Sequence, residues 1–221
     1  MIKLNQEFYE RKTLDVAVDL LGKYLIHNIN GKLVGGKIVE TEAYTGIEDK
    51  GCHVYGGKKT ERVLPMYSRG GTCYVYRIYG MYNCLNAITE KEGNPQGVLI
   101  RAIEPLIGLD YISNIRYKKL FKDLKRKEKL NLTSGPSKLC MALDIDKKLN
   151  NILLFENELF ICDFDNDLKS LFEIEEEETG HIIKSKRIGI DYAEEAIDFL
   201  YRFYYEKNHY VSKKDKNPIV L

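Results

Sequence analysis

A tight turn between two long β-patterned segments places the strongest constraint on the fold of this chain. Asn30 and Gly31 separate YLIHNI at 24–29 from KLVGGKIVETEAY at 32–44. Asn-Gly between alternating apolar residues is the strongest short-range signal for a β-hairpin, because both turn residues must adopt positive φ. We therefore expect an antiparallel strand pair near the start of the chain. The glycine pair at 35–36 predicts a bulge or a close backbone approach in its second strand.

A second hairpin pattern lies at 72–86, TCYVYRIYGMYNCLN. Alternate residues of a strand point to the same face, so its first two tyrosines share one side. Gly80 can adopt positive φ and reverse the chain, which puts Tyr79 and Met81 near the tip. Large apolar side chains are unusual at a loop tip. They indicate either an aromatic-rich hairpin packed into the core or a surface that needs a partner.

The rest of the pattern adds helices and strands without regular alternation of the two. Apolar residues at helical spacing predict a helix over 14–21 with Thr13 as its N-cap, and Pro136 suits the first position of another helix. GVLIRAI at 97–103 predicts a third strong strand. Since hairpins dominate, we predict one mixed α+β domain over residues 1–221. Its expected architecture is a curved, mainly antiparallel sheet with surrounding helices and a protruding β-hairpin.

Composition excludes several classes of protein. Hydrophobic residues make up 44% of the chain and charged residues 30%, as in a soluble globular protein. No apolar run reaches membrane-spanning length, and MIKLNQEFYE lacks the apolar segment of a signal peptide. We therefore expect a cytoplasmic protein without membrane contacts. The five cysteines are scattered and odd in number, which predicts neither a disulfide framework nor a zinc site.

Charge is unevenly distributed, although the net charge of +1 argues weakly against nucleic-acid binding. Eight Lys or Arg residues stand against two acids at 116–129, and five glutamates fall within 173–178. The two segments could form a cationic face for phosphates and an acidic face turned away from it. On charge alone, two solvated surface segments explain the pattern equally well.

Two glutamates on one predicted strand are the first candidates for chemistry. Glu40 and Glu42 should share a face with Ile38 and Tyr44, and the rise of roughly 3.3 Å per residue puts the carboxylates about 7 Å apart. Such a pair could act as acid and base, but glutamates on a solvated strand face give the same pattern. Arg101 lies in an apolar strand, where an arginine is seldom buried without a carboxylate, a phosphate or carbonyl groups as partners.

The predicted helix at Pro136 supplies a candidate anion site. The first N–H groups of a helix have no partner within it, and the helix dipole favours negative charge there. Ser134, Ser137 and Lys138 lie beside these groups in the sequence. We therefore treat these three residues as candidate phosphate contacts.

Five motifs occur in order along the chain: IVETEAYTGIEDKGCH, TCYVYRIYGMYNCLN, VLIRAIEP, LTSGPSKLCMALDI and RIGI. Together they resemble the alkyladenine DNA glycosylase family, also called 3-methyladenine or methylpurine DNA glycosylases. The similarity covers nearly the whole chain, and several motifs in register make it specific where any one alone would be weak. The loop after His53, VYGGKKTERVLPMYSRGG, departs from the commoner family wording, so its contacts do not transfer.

The resemblance implies roles for individual residues. Glu42 matches the glutamate that activates water, while Arg101 and the backbone carbonyl of Ile188 match groups that hold this water. The matches to the base pocket are Tyr44, His53, Tyr76, Asn86 and Leu99, and those at the hairpin tip that enter the duplex are Tyr79 and Met81. Tyr74 and Tyr82 have no such match, and we expect them to be structural.

The implied activity is excision of alkylated or deaminated purines from double-stranded DNA. Glycosylases extrude their target base, and an aromatic wedge can fill the gap in the stack. Aromatic rings also favour a cationic alkylated purine by roughly 0.5–2 kcal/mol. The resemblance implies no cofactor and no metal, and no lysine matches a Schiff-base nucleophile, so we expect a monofunctional enzyme. We further expect a monomer that associates with the nucleoid through its DNA.

Two other functions remain open at this point. A non-catalytic nucleic-acid-binding protein could use the same basic and aromatic surface without cleaving any bond. A carbohydrate hydrolase could use Glu40 and Glu42 as its two carboxylates, although the chain contains no tryptophan to provide sugar-binding platforms.

Overall fold

An antiparallel sheet of ten strands forms the centre of the described chain. The computed structural model describes residues 1–172, 174 and 178–221. The strands are β1 (Ile2–Lys3), β2 (Tyr24–Ile29), β3 (Lys32–Tyr44), β4 (Cys73–Ile78), β5 (Tyr82–Thr89), β6 (Gln96–Ile107), β7 (Leu159–Asp163), β8 (Ile182–Ser185), β9 (Arg202–Tyr205) and β10 (Ile219–Val220). Both predicted hairpins are confirmed, as β2 with β3 and as β4 with β5.

Strand β3 has partner strands along both of its edges. The strands follow the order β1-β7-β2-β3-β6-β5-β4, while β9 pairs with both β3 and β8, and β10 pairs with β8. The first half of β3 pairs with β2, its second half pairs with β9, and β6 runs along its other edge. The second half of β3 contains Glu40 and Glu42, so both glutamates lie in the middle of the sheet.

Helices cover the sheet and complete the predicted mixed α+β fold. They are α1 (Gln6–Tyr9), α2 (Thr13–Asp19), α3 (Leu109–Tyr117), α4 (Arg126–Leu130), α5 (Pro136–Ala142) and α6 (Asn166–Leu171). Short 3₁₀ turns occur at Tyr55–Gly57, Leu64–Tyr67, Phe121–Asp123, Lys147–Leu149 and Glu194–Asp198. The main core cluster joins buried residues of α2 and α5 to buried residues of β3, β5 and β6.

A register shift in β3 changes which residues share a face. Ile38 pairs with Ile103, but the next partner pair is Glu40 with Ala102, so Val39 is an extra residue in the ladder. Ile38 and Ile103 belong to the main core cluster, whereas Ala102 belongs to a separate cluster on β9. The prediction that Ile38 shares a face with Glu40 is therefore wrong, because a β-bulge moves the side chains that follow it to the opposite face of the sheet from the one that simple alternation predicts.

The glycine pair of β3 has the close backbone approach that its sequence predicts. A Cβ atom at Gly36 would lie 1.9 Å from the carbonyl oxygen of Glu104. At Gly35 it would lie 2.2 Å from the carbonyl oxygen of Leu25. No side chain fits at either distance, so these two positions let β2 and β6 pack tightly against β3.

Helix α2 begins one residue earlier than predicted. Lys12 takes the N-cap position and Thr13 is the first helical residue, so the prediction of Thr13 as N-cap is wrong. The Thr13 hydroxyl instead donates to Gln96 Oε1 over 2.7 Å and lies 2.7 Å from the hydroxyl of Thr89. This tertiary partner replaces the capping bond that a local pattern suggests.

The two charged segments differ in how much of them is described. In the basic segment, α3 ends at Tyr117, Lys118 adopts a left-handed φ of 58°, and Lys119 pairs with Glu128 at 2.9 Å. Only residues 174 and 178 of the acidic segment are described. An acidic face opposite a cationic face therefore stays a prediction.

Candidate active site

A cavity of about 480 Å³ opens between the β4–β5 hairpin and the loops on either side of it. The residues predicted from the resemblance that line it are Tyr44, His53, Tyr76, Tyr79, Asn86, Leu99, Arg101 and Ile188. Four strands build its floor, because Leu99 of β6 pairs with both Glu42 of β3 and Asn86 of β5, and Asn86 pairs with Tyr74 of β4. Residues far apart in sequence thus form one row across the sheet.

Glu42 lies behind the wall of this cavity, fully buried. Its Oε1 accepts a hydrogen bond from the backbone N–H of Ile188 at 2.8 Å and lies 3.2 Å from Arg101 Nη1. Its Oε2 accepts a hydrogen bond from the Tyr44 hydroxyl at 2.8 Å. All three partners line the cavity, so the carboxylate is held at the cavity by a cation and two hydrogen-bond donors.

Burial keeps the hydroxyl of Tyr44 protonated. Loss of solvent is the largest cause that raises the pKa of Tyr44 well above its ordinary value, and the charge of Glu42 raises it further. Tyr44 therefore acts as a hydrogen-bond donor to Glu42 over the whole range of physiological pH. Its ring meanwhile lies beneath the guanidinium of Arg187, 4.7 Å from the Arg187 Cζ atom.

Arg101 joins both glutamates of β3. Its Nε donates to Glu40 Oε1 at 3.1 Å, and its Nη1 contacts Glu42. Burial by itself lowers the pKa of Arg101, but the charges of Glu42 and Glu40 outweigh it and raise the pKa above the ordinary value. The two glutamates are fully buried, so the idea that they lie on a solvated strand face is wrong. Glu40 does not line the cavity, which disfavours a hydrolase with two exposed carboxylates.

Aromatic rings form the side of the cavity next to the hairpin. The ring of His53 meets that of Tyr76 edge to face, with centroids 4.5 Å apart, and His53 Nδ1 lies 3.1 Å from the Tyr74 hydroxyl. Burial, followed by the charges of Arg62 and Lys58, lowers the pKa of His53 to about 4. His53 is therefore a neutral ring at neutral pH, and a neutral ring can stack on a cationic base without repelling it.

The tip of the hairpin is exposed, as predicted. Tyr79 has a φ of 49° and Gly80 a φ of 71°, and the backbone N–H of Met81 donates to the carbonyl of Ile78 at 3.2 Å. Tyr79 is 86% exposed and Met81 is 67% exposed. A non-glycine residue in the left-handed region is uncommon, so the chain accepts an unfavourable backbone conformation to present a large aromatic ring at this point.

Most of the chain matches a family of known proteins. The family model for methylpurine-DNA glycosylase (MPG) matches residues 7–209. The chain belongs to the methylpurine-DNA glycosylase family. Membership makes it a DNA glycosylase, a hydrolase that acts on N-glycosyl bonds in DNA, and confirms the predicted family and enzyme class.

Individual relatives of this glycosylase cover almost its whole length. Proteins named "putative 3-methyladenine DNA glycosylase" are similar to it in Clostridium tetani, with 51% identity over 213 residues, and in Clostridium perfringens SM101, with 52% identity over 213 residues. Each alignment covers 96% of this chain and 100% of the relative. A protein of the same name from Desulfitobacterium hafniense is 49% identical over 214 residues, which cover 97% of this chain and 100% of the relative.

The predicted phosphate contacts lie beside the cavity of this glycosylase but do not form one cluster of free groups. Pro136 lines the cavity, and Ser134 forms an isolated bridge to Ala102 of β6. The ammonium group of Lys138 donates to Asn131 Oδ1, while burial and then the charge of Arg116 lower the pKa of Lys138. A role for Ser134, Ser137 and Lys138 toward phosphate stays a prediction.

Sequence reasoning missed a buried ion pair that supports the cavity. Arg187 binds Asp49 through two hydrogen bonds of 2.6 and 2.7 Å, and both side chains are fully buried. Asp49 also accepts from the backbone N–H groups of Thr45 and Gly51. The pair joins the loop that carries His53 to the loop that carries Ile188. Both residues stand inside the quoted motifs, and Arg187 directly precedes the matched Ile188, which is the only signal that pointed to them.

Tyr74 was predicted to be structural, and the structure gives it a place in the cavity as well. Its side chain is 1% exposed, it lines the cavity, and its hydroxyl meets His53. Its backbone carbonyl accepts from Asn86 Nδ2 at 3.1 Å. Tyr74 thus orients two of the residues that match the base pocket.

The described part of the chain contains neither a candidate metal cluster nor a membrane-spanning helix. Among these residues, no group of three or more His, Cys, Asp and Glu side chains is arranged to hold a metal ion. Across the same ranges, no helix is long and apolar enough to cross a membrane. All five cysteines are buried and unpaired.

Proposed function

We propose that this glycosylase removes alkylated purines, 3-methyladenine among them, from double-stranded DNA, using a water molecule that Glu42 activates. One observation carries the proposal: a fully buried carboxylate, held by Ile188 N–H, Arg101 and Tyr44, lies directly behind a cavity lined by aromatic rings. The names of the relatives support 3-methyladenine as a substrate.

The damaged nucleotide must leave the duplex before this carboxylate can act on it. A base in a duplex is inaccessible, so glycosylases as a class flip it into a pocket and pay a few kcal/mol for unstacking. Tyr44, His53 and Tyr76 would then sandwich the extruded base. Alkylation at a ring nitrogen makes a purine cationic, and aromatic faces attract a cation within about 6 Å. Because His53 is neutral, it does not oppose this attraction.

Hydrolysis needs one base and a leaving group that departs readily. As the bond from C1′ to the purine nitrogen breaks, positive charge develops at C1′. A water molecule attacks C1′ and transfers a proton to Glu42, while the cationic purine leaves with the electron pair of the broken bond and becomes neutral. The carboxylate also stabilises the developing positive charge. The Ile188 carbonyl and Arg101 would help to hold the water.

Selection of the base would rest on the floor of the cavity. Asn86 lies in register with Leu99, and its amide is oriented by the Tyr74 carbonyl. An amide on the floor can accept or donate hydrogen bonds along the purine edge. We include deaminated purines, such as hypoxanthine, in the proposed substrate range on the basis of the family resemblance.

Tyr79 and Met81 would fill the gap that the flipped base leaves in the duplex. An apolar or aromatic wedge offsets part of the unstacking cost. At the cavity mouth, Arg62 and Arg77 are exposed, and neither pairs with a carboxylate in the described part of the chain. Exposed guanidinium groups without a carboxylate partner among the described residues suit phosphate oxygens. We propose that the chain binds duplex DNA with this face and acts as a monomer.

Base release from defined substrates tests the proposal. Purified protein is incubated with duplex DNA containing 3-methyladenine, 7-methylguanine, hypoxanthine or ethenoadenine, and free bases are separated by chromatography. We expect release of 3-methyladenine without cleavage of the DNA strand by lyase chemistry. A non-catalytic DNA-binding protein would bind the same duplexes and release no base, and that result would reject the proposal.

A further inference from the structure

A second buried carboxylate, that of Glu40, lies two residues before Glu42 in strand β3. Glu40 is fully buried, and it does not line the cavity. Its Oε1 accepts from Arg101 Nε at 3.1 Å and from Arg202 Nη1 at 3.0 Å, and its Oε2 accepts from the backbone N–H of Ser212 at 2.7 Å. Both oxygens are therefore occupied, and nothing in the proposed chemistry uses this group directly.

Arg101 has a separate partner for each nitrogen of its guanidinium group. Nε donates to Glu40, Nη1 contacts Glu42 Oε1 at 3.2 Å, and Nη2 donates to Ser212 Oγ at 3.3 Å. Arginine prefers to bind a carboxylate in a forked manner through two parallel hydrogen bonds. Here it contacts Glu42 through one nitrogen only, because its other two nitrogens are held elsewhere.

Arg202, which binds Glu40, is itself held by several further hydrogen bonds. Arg202, the second cation on Glu40, also donates to the carbonyls of Lys186 and Lys213, both at 2.8 Å, and to Ser185 Oγ at 2.7 Å. Its side chain is 1% exposed. Contacts with Arg202 of β9 and with the backbone of Ser212 thus hold the Glu40 carboxylate in place. The carboxylate would keep this position if the side chain of Arg101 moved.

We propose that Glu40 is a positioning residue for base excision: it holds Arg101 away from a forked contact with Glu42, so that one part of the Glu42 carboxylate stays free for water. The proposal rests on the proposed function of Glu42. Without Glu40, Arg101 turns toward Glu42 and binds both of its oxygens. Arg101 then competes with Tyr44 and with the water.

The charged and titratable groups around Glu42 decide the expected effect on pH dependence. Arg101 contacts it directly, and Arg187 acts on it from the neighbouring loop. The titratable groups that also interact with Glu42 are Tyr44, Tyr76 and Cys84. Burial raises the pKa of each of these three groups, so they are neutral at neutral pH. Glu40 supplies the second negative charge next to Arg101, and its removal leaves the positive charge of Arg101 to Glu42 alone.

The test compares Glu40→Gln with Glu104→Gln as a matched control. Glu104 is another buried carboxylate of the same sheet, paired with Lys37 at 3.0 Å and with Asn208, and it has no contact with Arg101. Single-turnover release of 3-methyladenine from duplex DNA is measured from pH 4.5 to pH 9. For Glu40→Gln we expect a fall of at least about ten-fold in the rate at saturating enzyme, as misplaced catalytic groups typically cause. We also expect its acid limb to move to lower pH, with affinity for lesion DNA within about three-fold of wild type. Glu104→Gln should leave the acid limb in place.

The outcomes distinguish a failure of the proposed function from a failure of the positioning role of Glu40. If wild-type protein releases no base, the proposed function fails. If wild type is active and Glu40→Gln keeps both its rate and its acid limb, or loses affinity as strongly as rate, the positioning role is overturned. Should Glu40→Gln not fold, the wild-type protein labelled with ¹⁵N-arginine provides the test. The Nε–H signal of Arg101, identified by its loss in Arg101→Lys, must exchange slowly, and exchange as fast as in exposed arginines would contradict the proposal.

Discussion

At the scale of single residues, the active site depends on how neighbours fix the state of a few side chains. The Tyr44 hydroxyl donates to the same carboxylate that Arg101 and the Ile188 amide hold. His53 is neutral for the same main reason as Tyr44, because burial disfavours the charged form of each side chain, and nearby cations add to this effect at His53. The cavity is thereby lined with uncharged aromatic groups on one side, and a fixed, buried carboxylate lies behind its wall.

The state of His53 gives a prediction about pH. The pKa of His53 in the folded protein is lowered to about 4 from an ordinary value of 6.5. We expect ¹H–¹⁵N spectra of the imidazole rings to show that His53, identified by the loss of its signal in His53→Asn, stays neutral down to about pH 5. A midpoint near 6.5 would contradict the buried environment of His53.

The same shift has a consequence for stability. The unfolded chain takes up a proton at His53 near pH 6.5, whereas the folded chain does so only near pH 4. The unfolded state therefore binds more protons between these values, and His53 lowers the free energy of unfolding as the pH falls through this window. His53→Asn should weaken the pH dependence of the thermal midpoint between pH 6.5 and pH 4.

At the scale of elements, the β4–β5 hairpin contributes to the cavity at its base and to the exposed surface at its tip. Its base contributes Tyr74, Tyr76 and Asn86 to the cavity, while its tip presents Tyr79 to solvent. Alternation along the strands predicted the shared face of Tyr74 and Tyr76, and Gly80 predicted the turn. The contact of Tyr74 with His53 could not be predicted, because it joins residues of two elements with no pattern between them.

The wedge role of Tyr79 is tested by removing its ring. Base–aromatic stacking is worth about 1–3 kcal/mol by alanine substitution, so Tyr79→Ala should weaken binding to a lesion-containing duplex by roughly ten-fold or more. Binding to a single strand with the same lesion should change far less, since no stack is interrupted there. Tyr79→Phe keeps the ring and should keep the affinity. Equal losses on duplex and single strand would refute the wedge role.

The Asp49–Arg187 ion pair joins two loops beside the cavity. Removal of one partner of a buried ion pair costs about 3–5 kcal/mol, because the remaining charge is left without compensation. We expect Asp49→Asn to lower the free energy of unfolding by this amount in urea denaturation. Lys186→Gln is the control, since its ion pair with Asp198 is exposed and should contribute about 0–1 kcal/mol. Similar stabilities for the two variants would show that Asp49 does not hold these loops.

At the scale of the whole molecule, one sheet brings the site together from five separate segments. The Asn-Gly turn, the glycine pair and the absence of βαβ alternation were enough to predict a mainly antiparallel α+β domain. They did not predict that β9 pairs with the second half of β3 and encloses Glu40 and Glu42. This pairing joins residues some 160 positions apart, such as Glu42 and Arg202, and no local pattern specifies a contact over such a distance. The position of Ile38 was missed for a related reason, since a bulge at Val39 depends on what β3 meets on both edges.

Several site residues were predicted through the family resemblance rather than through residue patterns. Alternation placed Glu40 and Glu42 on one face but left open which of them acts, and it favoured solvent exposure as strongly as catalysis. The structure distinguishes them by their partners: Glu42 meets three residues of the cavity wall, while Glu40 meets Arg101, Arg202 and the backbone of Ser212. Physical environment, and not spacing along the strand, separates the two carboxylates.

We propose that Glu42 performs the chemistry while the cavity and the hairpin hold the DNA, so loss of the Glu42 carboxylate should separate binding from excision. Wild type and Glu42→Gln are compared for binding to duplex DNA with 3-methyladenine and for single-turnover release of the base. We predict that Glu42→Gln binds the duplex with affinity close to wild type and loses excision by roughly 10²–10⁴-fold, the range typical of a general base. Release of the base at the wild-type rate by folded Glu42→Gln would show that Glu42 does not activate the attacking water.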